Sequence, residues 1–263
     1  MIARPALVGI VNVTPDSFSD GGNLGEAAIH HAKTLMEEGA DIIDIGAEST
    51  RPGAVLLSPD EEWARLEPVL AAIAEAAHHA EVRVSVDTRH AQTAARALEL
   101  GAQIINDQSA LADAAMAEII GEHECDVVVM HSLGLPADPK KTLPVDTLIV
   151  DVMLAWKNEM MARAAAAGIA PERLIFDPGL GFGKTTVQSL ELVLNADKLV
   201  ESGGRWLFGH SRKSFLTLFT KAEPAERDSL TLTFSAQLAA ARVPYLRVHN
   251  IATHRAMFEK LCT

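Results

Sequence analysis

Cysteine is almost absent from this chain: there are two in 263 residues, Cys125 and Cys262. Neither lies in the paired spacing of a metal site or a disulfide framework. Free thiols in a reducing compartment follow, and a cytoplasmic location is expected. Positive charge is also scarce. Lys and Arg number 23 against 35 Asp and Glu, giving a formal net charge of −12, and no Lys/Arg-rich run occurs. A nucleic-acid partner is therefore not expected, because a phosphate polyanion needs a basic surface. No apolar run approaches the roughly 20 residues that cross a bilayer. The first residues also lack the basic, apolar and small-residue order of a secretion signal. Fixed-period repeats and low-complexity segments are missing as well.

What is present is an ordinary globular composition, 48% hydrophobic and 22% charged, with ample chain for a large core. Apolar, β-branched runs occur eight times, at 7–13, 41–46, 82–87, 102–106, 125–131, 173–177, 205–209 and 244–249. A helical pattern follows each one. The runs are continuously apolar, as in strands buried on both faces. Eight β/α units in this length, with no composition break, predict one α/β domain over residues 1–263, a single (β/α)8 TIM barrel. Local signals agree. Ser58, Pro59 and Glu61 form a capping box with proline at the first helical position, ahead of Trp63, Leu66, Leu70 and Ile73 on one face. A long helix is expected over about 145–167, ended by Gly168, and another opens at Thr185 or Thr186 with Leu190, Val193 and Leu194 at helical spacing. Residues 133–143, with two prolines and two lysines, read as a loop of doubtful order.

In such barrels chemistry sits at the carboxyl ends of the strands. Those ends carry Asn12, Glu48, Asp87, Asn106, His131, Asp177, Ser211 with Lys213, and His249. Any one can be a cap or turn former, but a polar group at every end points to a ligand site. The sixth strand runs into Asp177, Pro178 and a loop with Gly179, Gly181 and Gly183 before Lys184. Two nucleotide motifs fail here on spacing. Counting back from Gly183, Lys184 and Thr185, the first glycine of a P-loop falls on Pro178, and the glycines run at intervals of two, not as G-x-G-x-x-G. Nor is Ser211 a hydrolase nucleophile, because G-x-S-x-G needs glycine where Lys213 stands. The few cations are placed tellingly: Arg51, Arg212, Lys213, Arg247 and His249 lie in or beside turns after strands, so a local positive site is expected. In the first loop, Gly21 and Gly22 permit closure over a ligand, and the lone Phe18 among polar residues needs somewhere to pack.

Seven stretches together resemble the dihydropteroate synthase family of folate biosynthesis, over nearly the whole chain. They are NVTPDSFSDGG (12–22), ESTRPG (48–53), SVDT (85–88), IIND (104–107), DPGLGFGK (177–184), SRKSF (211–215) and RVH (247–249). The resemblance implies an enzyme that joins 7,8-dihydropterin-6-ylmethyl diphosphate to 4-aminobenzoate, releasing pyrophosphate, with Mg2+ as cofactor. It implies a pterin site of Asp87, Asn106, Met130, Asp177, Gly209 and Lys213. Asn12, Arg51, Arg247 and His249 are implied for the diphosphate, with Asn12 near the metal. Phe18, Thr50, Arg51, Pro52, Phe182 and Ser214 are implied for 4-aminobenzoate, whose carboxylate is expected at the N-terminus of a helix starting near Ser214. Asp20, Lys213, Arg247 and His249 are the catalytic candidates, Asp20 as stabiliser of a cationic methylene. The family's sulfonamide target role and homodimeric habit are also implied.

Three positions depart from the family pattern: Ala47 for glycine, Ser189 for asparagine and Asn250 for aspartate. Asn250 is expected to lower the pKa of His249 by removing a neighbouring charge. Two other readings stay open at this stage, a pterin-dependent methyltransferase and a non-catalytic pterin-binding paralogue. The first has no use for Arg51 and His249; the second would bind pterin without releasing pyrophosphate.

Overall fold

A computed structural model describes residues 3–14, 24–49, 54–138 and 140–261. Eight strands close in sequence order into a barrel: β1 Ala6–Asn12, β2 Ile42–Gly46, β3 Arg83–Asp87, β4 Ile104–Asp107, β5 Asp126–Met130, β6 Leu174–Asp177, β7 Arg205–Phe208 and β8 Tyr245–Val248. Every neighbouring pair is parallel, and β8 returns to β1 with Ala6 opposite Tyr245. The outer ring contains α1 Leu24–Glu37, α2 Pro59–His79, α3 Ala91–Glu99, α4 Ala114–Glu122, α5 Ile149–Ala166, α6 Thr186–Leu194, α7 Ala196–Glu201, α8 Asp228–Ala240 and α9 Ile251–Leu261. The (β/α)8 architecture is thus as expected, because strands buried on both faces require helices to cover the outer one.

Side chains on a strand alternate in direction, and inside a barrel this produces layers. Val8, Ile42, Ile104, Val128, Ile175 and Leu207 form a dry inner layer, with Tyr245 packed against it. Two residues further along, the inward positions turn polar: Asp44 on β2, Asn106 on β4, Asp177 on β6 and Arg247 on β8. The apolar floor seals the barrel and leaves only the carboxyl ends to hold polar ligands. Outward-facing Ile43, Ile45, Val86, Phe176 and Trp206 join the larger core under the helices.

The caps follow the sequence signals. Ser58 accepts from Glu61 N while Glu61 accepts from Ser58 N, and Pro59 opens α2. Thr185, not Thr186, caps α6 and makes a reciprocal box with Gln188. Two helix expectations need correction. The long helix begins at Ile149, not near 145, because the Pro144 carbonyl takes Thr147 N at 3.1 Å and closes a turn first. After β7 no α-helix starts at Ser214. Residues Ser214–Leu218 make a short 3-10 turn that drives Phe215 and Leu216 into the core, and α8 follows only after a second 3-10 turn opened by Pro224. The loop of doubtful order is stitched down where it meets the glycine loop: Leu143 N donates to Gly183 O at 3.0 Å, and Gln188 Nε2 to Pro144 O at 2.7 Å.

Candidate active site

The site rises from the polar layer. Asp87 ends β3 directly opposite Asn106 on β4 and Gly46 on β2. A Cβ at Gly46 would stand 3.2 Å from Asp87 Cβ, so glycine there gives the carboxylate its space. Gln108 Nε2 donates to Asp87 Oδ1, and Arg247 Nη2 donates to its Oδ2 at 3.1 Å. Burial, then the negative charge of Asp44, pushes the Asp87 carboxyl up to about 8, against the pull of Arg247. The centre of this cluster was not singled out in the sequence. Asp44 lies 1% exposed and accepts from Ser85 Oγ at 2.6 Å, Asn106 Nδ2 at 3.1 Å and Arg247 Nε at 2.6 Å. Its mid-strand place hid it among apolar neighbours. The available signal was a carboxylate in a run otherwise buried on both sides.

Opposite, Asp177 ends β6 in register with Met130. Its Oδ1 accepts from Gly179 N at 2.7 Å, and its Oδ2 lies over Gly209. Burial raises its pKa; the Gly179 hydrogen bond and the charges of Lys213, Arg247 and Lys184 act in the other direction. Gly179 has φ of +63°, and a Cβ there would collide with the His131 carbonyl oxygen. This is why the loop needs glycine. Behind it, Lys184 donates to His131 Nδ1 at 2.8 Å and to the His131 and Phe182 carbonyls at 3.0 Å each. Burial pulls the Lys184 pKa to about 7. Burial and the adjacent lysine pull His131 down to about 3. Lys184 and His131 therefore brace the glycine loop. At the rim, Lys213 Nζ sits 4.5 Å from the centre of the Phe182 ring, a cation–π distance. Ser214 Oγ faces Gly181 across the mouth.

Several expected roles change in the folded chain. His249 reaches the rim, but burial, then the charges of Arg212 and Arg247, pushes its pKa to about 3. At neutral pH it is a neutral imidazole sharing a 2.9 Å hydrogen bond with Ser211 Oγ, not a cation. Arg247 is committed to Asp44 and Asp87 and is not a free positive charge. Arg212 pairs with Asp228 at 2.7 and 2.9 Å, so its charge is already matched by a carboxylate. Glu48 is held by Arg89 and Leu57 N, as a brace for its loop. Asn250 donates to Asp228 at 3.3 Å and accepts from Thr253 N in the first turn of α9. Ser189 accepts from Gly181 N at 3.2 Å, steadying the glycine loop, while Ala47 is fully buried. Asn12 ends β1 opposite Gly46. Phe18, Asp20, Thr50, Arg51 and Pro52 lie outside the described residues.

Buried carboxylates and an amide above a sealed floor, with a lysine and an aromatic ring at the rim, define a small-molecule site at the carboxyl edge of a (β/α)8 barrel. Its relatives narrow the class. Residues 8–249 match the pterin binding enzyme family. The dihydropteroate synthase of Neisseria meningitidis serogroup C is 42% identical over 260 residues, covering 94% of this chain and 88% of that protein. A probable bifunctional folylpolyglutamate synthase/dihydropteroate synthase of Haloferax volcanii is 41% identical over 94% of this chain, which spans only 29% of that longer protein. Among solved structures, dihydropteroate synthase from Anaplasma phagocytophilum with bound 6-hydroxymethylpterin-monophosphate superposes with a TM-score of 0.91 at 38% identity, covering 99% of this chain and 100% of that one. The chain belongs to the pterin-binding enzymes, in the dihydropteroate synthase family.

Proposed function

We propose that the chain condenses 7,8-dihydropterin-6-ylmethyl diphosphate with 4-aminobenzoate to give 7,8-dihydropteroate and pyrophosphate. One arrangement carries the reading: Asp87, Asn106 and Asp177 are buried at or next to the carboxyl ends of β3, β4 and β6, and Lys213, in contact with the Phe182 ring, lies close enough for its charge to act on Asp177. A pterin offers N–H donors along its amino edge, which carboxylate and amide oxygens accept, while Lys213 donates to the ring carbonyl and N5. Met130 and Gly209 frame the ring. The amine of 4-aminobenzoate attacks the methylene carbon as the C–O bond breaks. The bonding electrons leave with pyrophosphate, and the surplus amine proton passes to water. Negative charge grows on the leaving group and positive charge on the methylene, so electrostatic stabilisation is the main catalytic device. Arg247, through the N–H groups not held by Asp44 and Asp87, serves the diphosphate together with Arg51 and the neutral His249 as a hydrogen-bonding group. The role of stabilising the methylene cation is assigned to Asp20. Phe182, Phe18, Thr50 and Pro52 pack the aminobenzoate ring, and its carboxylate meets the rim near Ser214, where single N–H groups of one 3-10 turn take the place of a helix dipole.

Magnesium is proposed on the diphosphate with Asn12 as its protein ligand. Among the described residues no group of three His, Cys, Asp or Glu could hold a metal. A single amide suits an ion that keeps phosphate oxygens and water. When bound, it offsets charge on the leaving group. The proposal extends to a cytoplasmic homodimer acting on small molecules, open to sulfonamides as 4-aminobenzoate mimics. Exposed Val187, Leu194, Leu218 and Phe219 on α6 and the neighbouring turn support pairing through outer helices. No described helix is long and apolar enough to cross a membrane. The test is pyrophosphate release with and without 4-aminobenzoate and Mg2+, with the product identified by mass. Release that needs both, with the mass of dihydropteroate, is expected. Pterin binding without release would overturn the synthase reading in favour of a non-catalytic binder.

A further inference from the structure

Among the described residues, Asp44 is a carboxylate of the site with no assigned task, and its partners specify one. It sits on β2, two residues before the end of that strand, in the same inward layer as Asn106 and Arg247, and its three side-chain donors come from β3, β4 and β8. Ser85 occupies Oδ1, while Asn106 and Arg247 share Oδ2. A carboxylate oxygen offers two lone pairs, so Oδ2 has no room for a further partner. A carboxylate cannot donate, so Asn106 keeps one N–H of its amide turned to Asp44, which fixes the amide's orientation and leaves its acceptor Oδ1, with the second N–H, for other partners. Arg247 is likewise held by Nε, which fixes the plane of its fork so that Nη2 meets Asp87.

We infer that Asp44 is a positioning residue for pterin recognition, fixing Asn106 as a hydrogen-bond acceptor and aiming Arg247 at Asp87. This rests on the pterin site proposed above. The chemistry is specific, because an amide free to rotate presents a donor or an acceptor with equal ease. A pterin's amino edge carries donors and needs the acceptor. Discrimination for that edge is thus set through the partners of Asp44, by the amide it orients and the guanidinium it aims.

The test compares the intact protein with Asp44→Ala and Asp44→Asn, reading calorimetric affinity for 6-hydroxymethylpterin, KM for 4-aminobenzoate and Tm. Asp44→Ala is expected to weaken pterin affinity 30-fold or more while the KM for 4-aminobenzoate stays within twofold. Asp44→Asn should recover most of the affinity, since its amide oxygen can still receive Asn106 and Arg247 with its NH2 turned to the Ser85 hydroxyl. A fall in Tm with pterin affinity unchanged would reduce Asp44 to a structural ion pair and overturn the inference. Should Asp44→Ala not fold, a cycle of Asp44→Ser with Asn106→Ala decides: Asp44→Ser, whose short hydroxyl cannot reach both donors, must cost several-fold more when Asn106 is present than when it is absent, and additive effects refute the coupling. Asp177→Asn is the control for the site itself. If it leaves pterin affinity intact, the pterin site is misplaced; if it abolishes affinity while the Asp44 variants do not, only the role of Asp44 fails.

Discussion

Replacing Asp177 by asparagine changes one atom and reverses the hydrogen-bonding sense of the pocket wall. Asp177 Oδ1 is held by the Gly179 N–H at 2.7 Å, and that donor accepts no substitute but an oxygen. The asparagine must keep Oδ1 there, which places Nδ2 where Oδ2 now lies, over Gly209 and toward the ligand. A pterin N–H then meets an N–H. The lost charge-assisted hydrogen bond costs about 1.5–3 kcal/mol and the unsatisfied donor about 1–3 kcal/mol. Allowing for partial relaxation, about 3–4 kcal/mol is expected, which weakens pterin binding roughly 200- to 1,000-fold. Folding should be little affected, since the loop cap survives and a buried charge disappears. Titration calorimetry with 6-hydroxymethylpterin, alongside thermal melts, checks both halves. Unchanged affinity would refute the placement of Asp177 against the pterin. A collapse in Tm matching the loss of binding would show that the carboxylate holds the loop and not the ligand.

Arg247→Ala leaves Asp44 and Asp87 without their shared cation; breaking such a buried pair costs about 3–5 kcal/mol of stability, and urea unfolding should show it. Free pterin should lose affinity as well as the diphosphate substrate, because Asp87 is uncovered; loss confined to the diphosphate would contradict the bridging geometry. Gly179→Ala, at φ +63° and against the His131 carbonyl, should cost about 3 kcal/mol from backbone strain and overlap, and a melting temperature within a degree of the parent would disprove the tight approach. His210 is buried and hydrogen-bonded to Ser235 at 2.7 Å, and burial pushes its pKa from 6.5 to about 4. A depressed histidine stabilises the fold above pH 6.5, and that contribution is lost as pH falls toward 4, because the unfolded chain takes the proton first. Between pH 7 and 5 the loss is about 2 kcal/mol for this group. His210→Gln should flatten the acid limb of the stability profile by that amount, and an unaltered limb would mean that His210 titrates normally.

Much of this molecule was legible in the residues alone. Continuous apolar runs placed eight strands to within a residue or two, since burial on both faces leaves a strand no polar side. Ser58 with Glu61 announced α2, and Thr185 or Thr186 announced α6, because capping is satisfied within one turn of chain. The strand-end residues Asp87, Asn106 and Asp177 could be picked out because a parallel barrel presents its ligands at one edge. What remained hidden was partnership. Asp44 reads as a flaw in an apolar run until barrel closure brings Arg247, 203 residues away, to its side. His249 looks like a cation until burial and its arginine neighbours discharge it, and Arg212, one residue from Lys213, is turned to Asp228 by its own left-handed backbone at φ 60°. Ser214 promised a helix that the core replaced with a 3-10 turn to seat Phe215 and Leu216. Periodicity, caps and turn chemistry act over a few residues, so the sequence by itself determined the strands, their order and the edge that carries chemistry. Charge state, amide orientation and the choice of partner depend on desolvation and on contacts between distant strands, and only the closed barrel decided them.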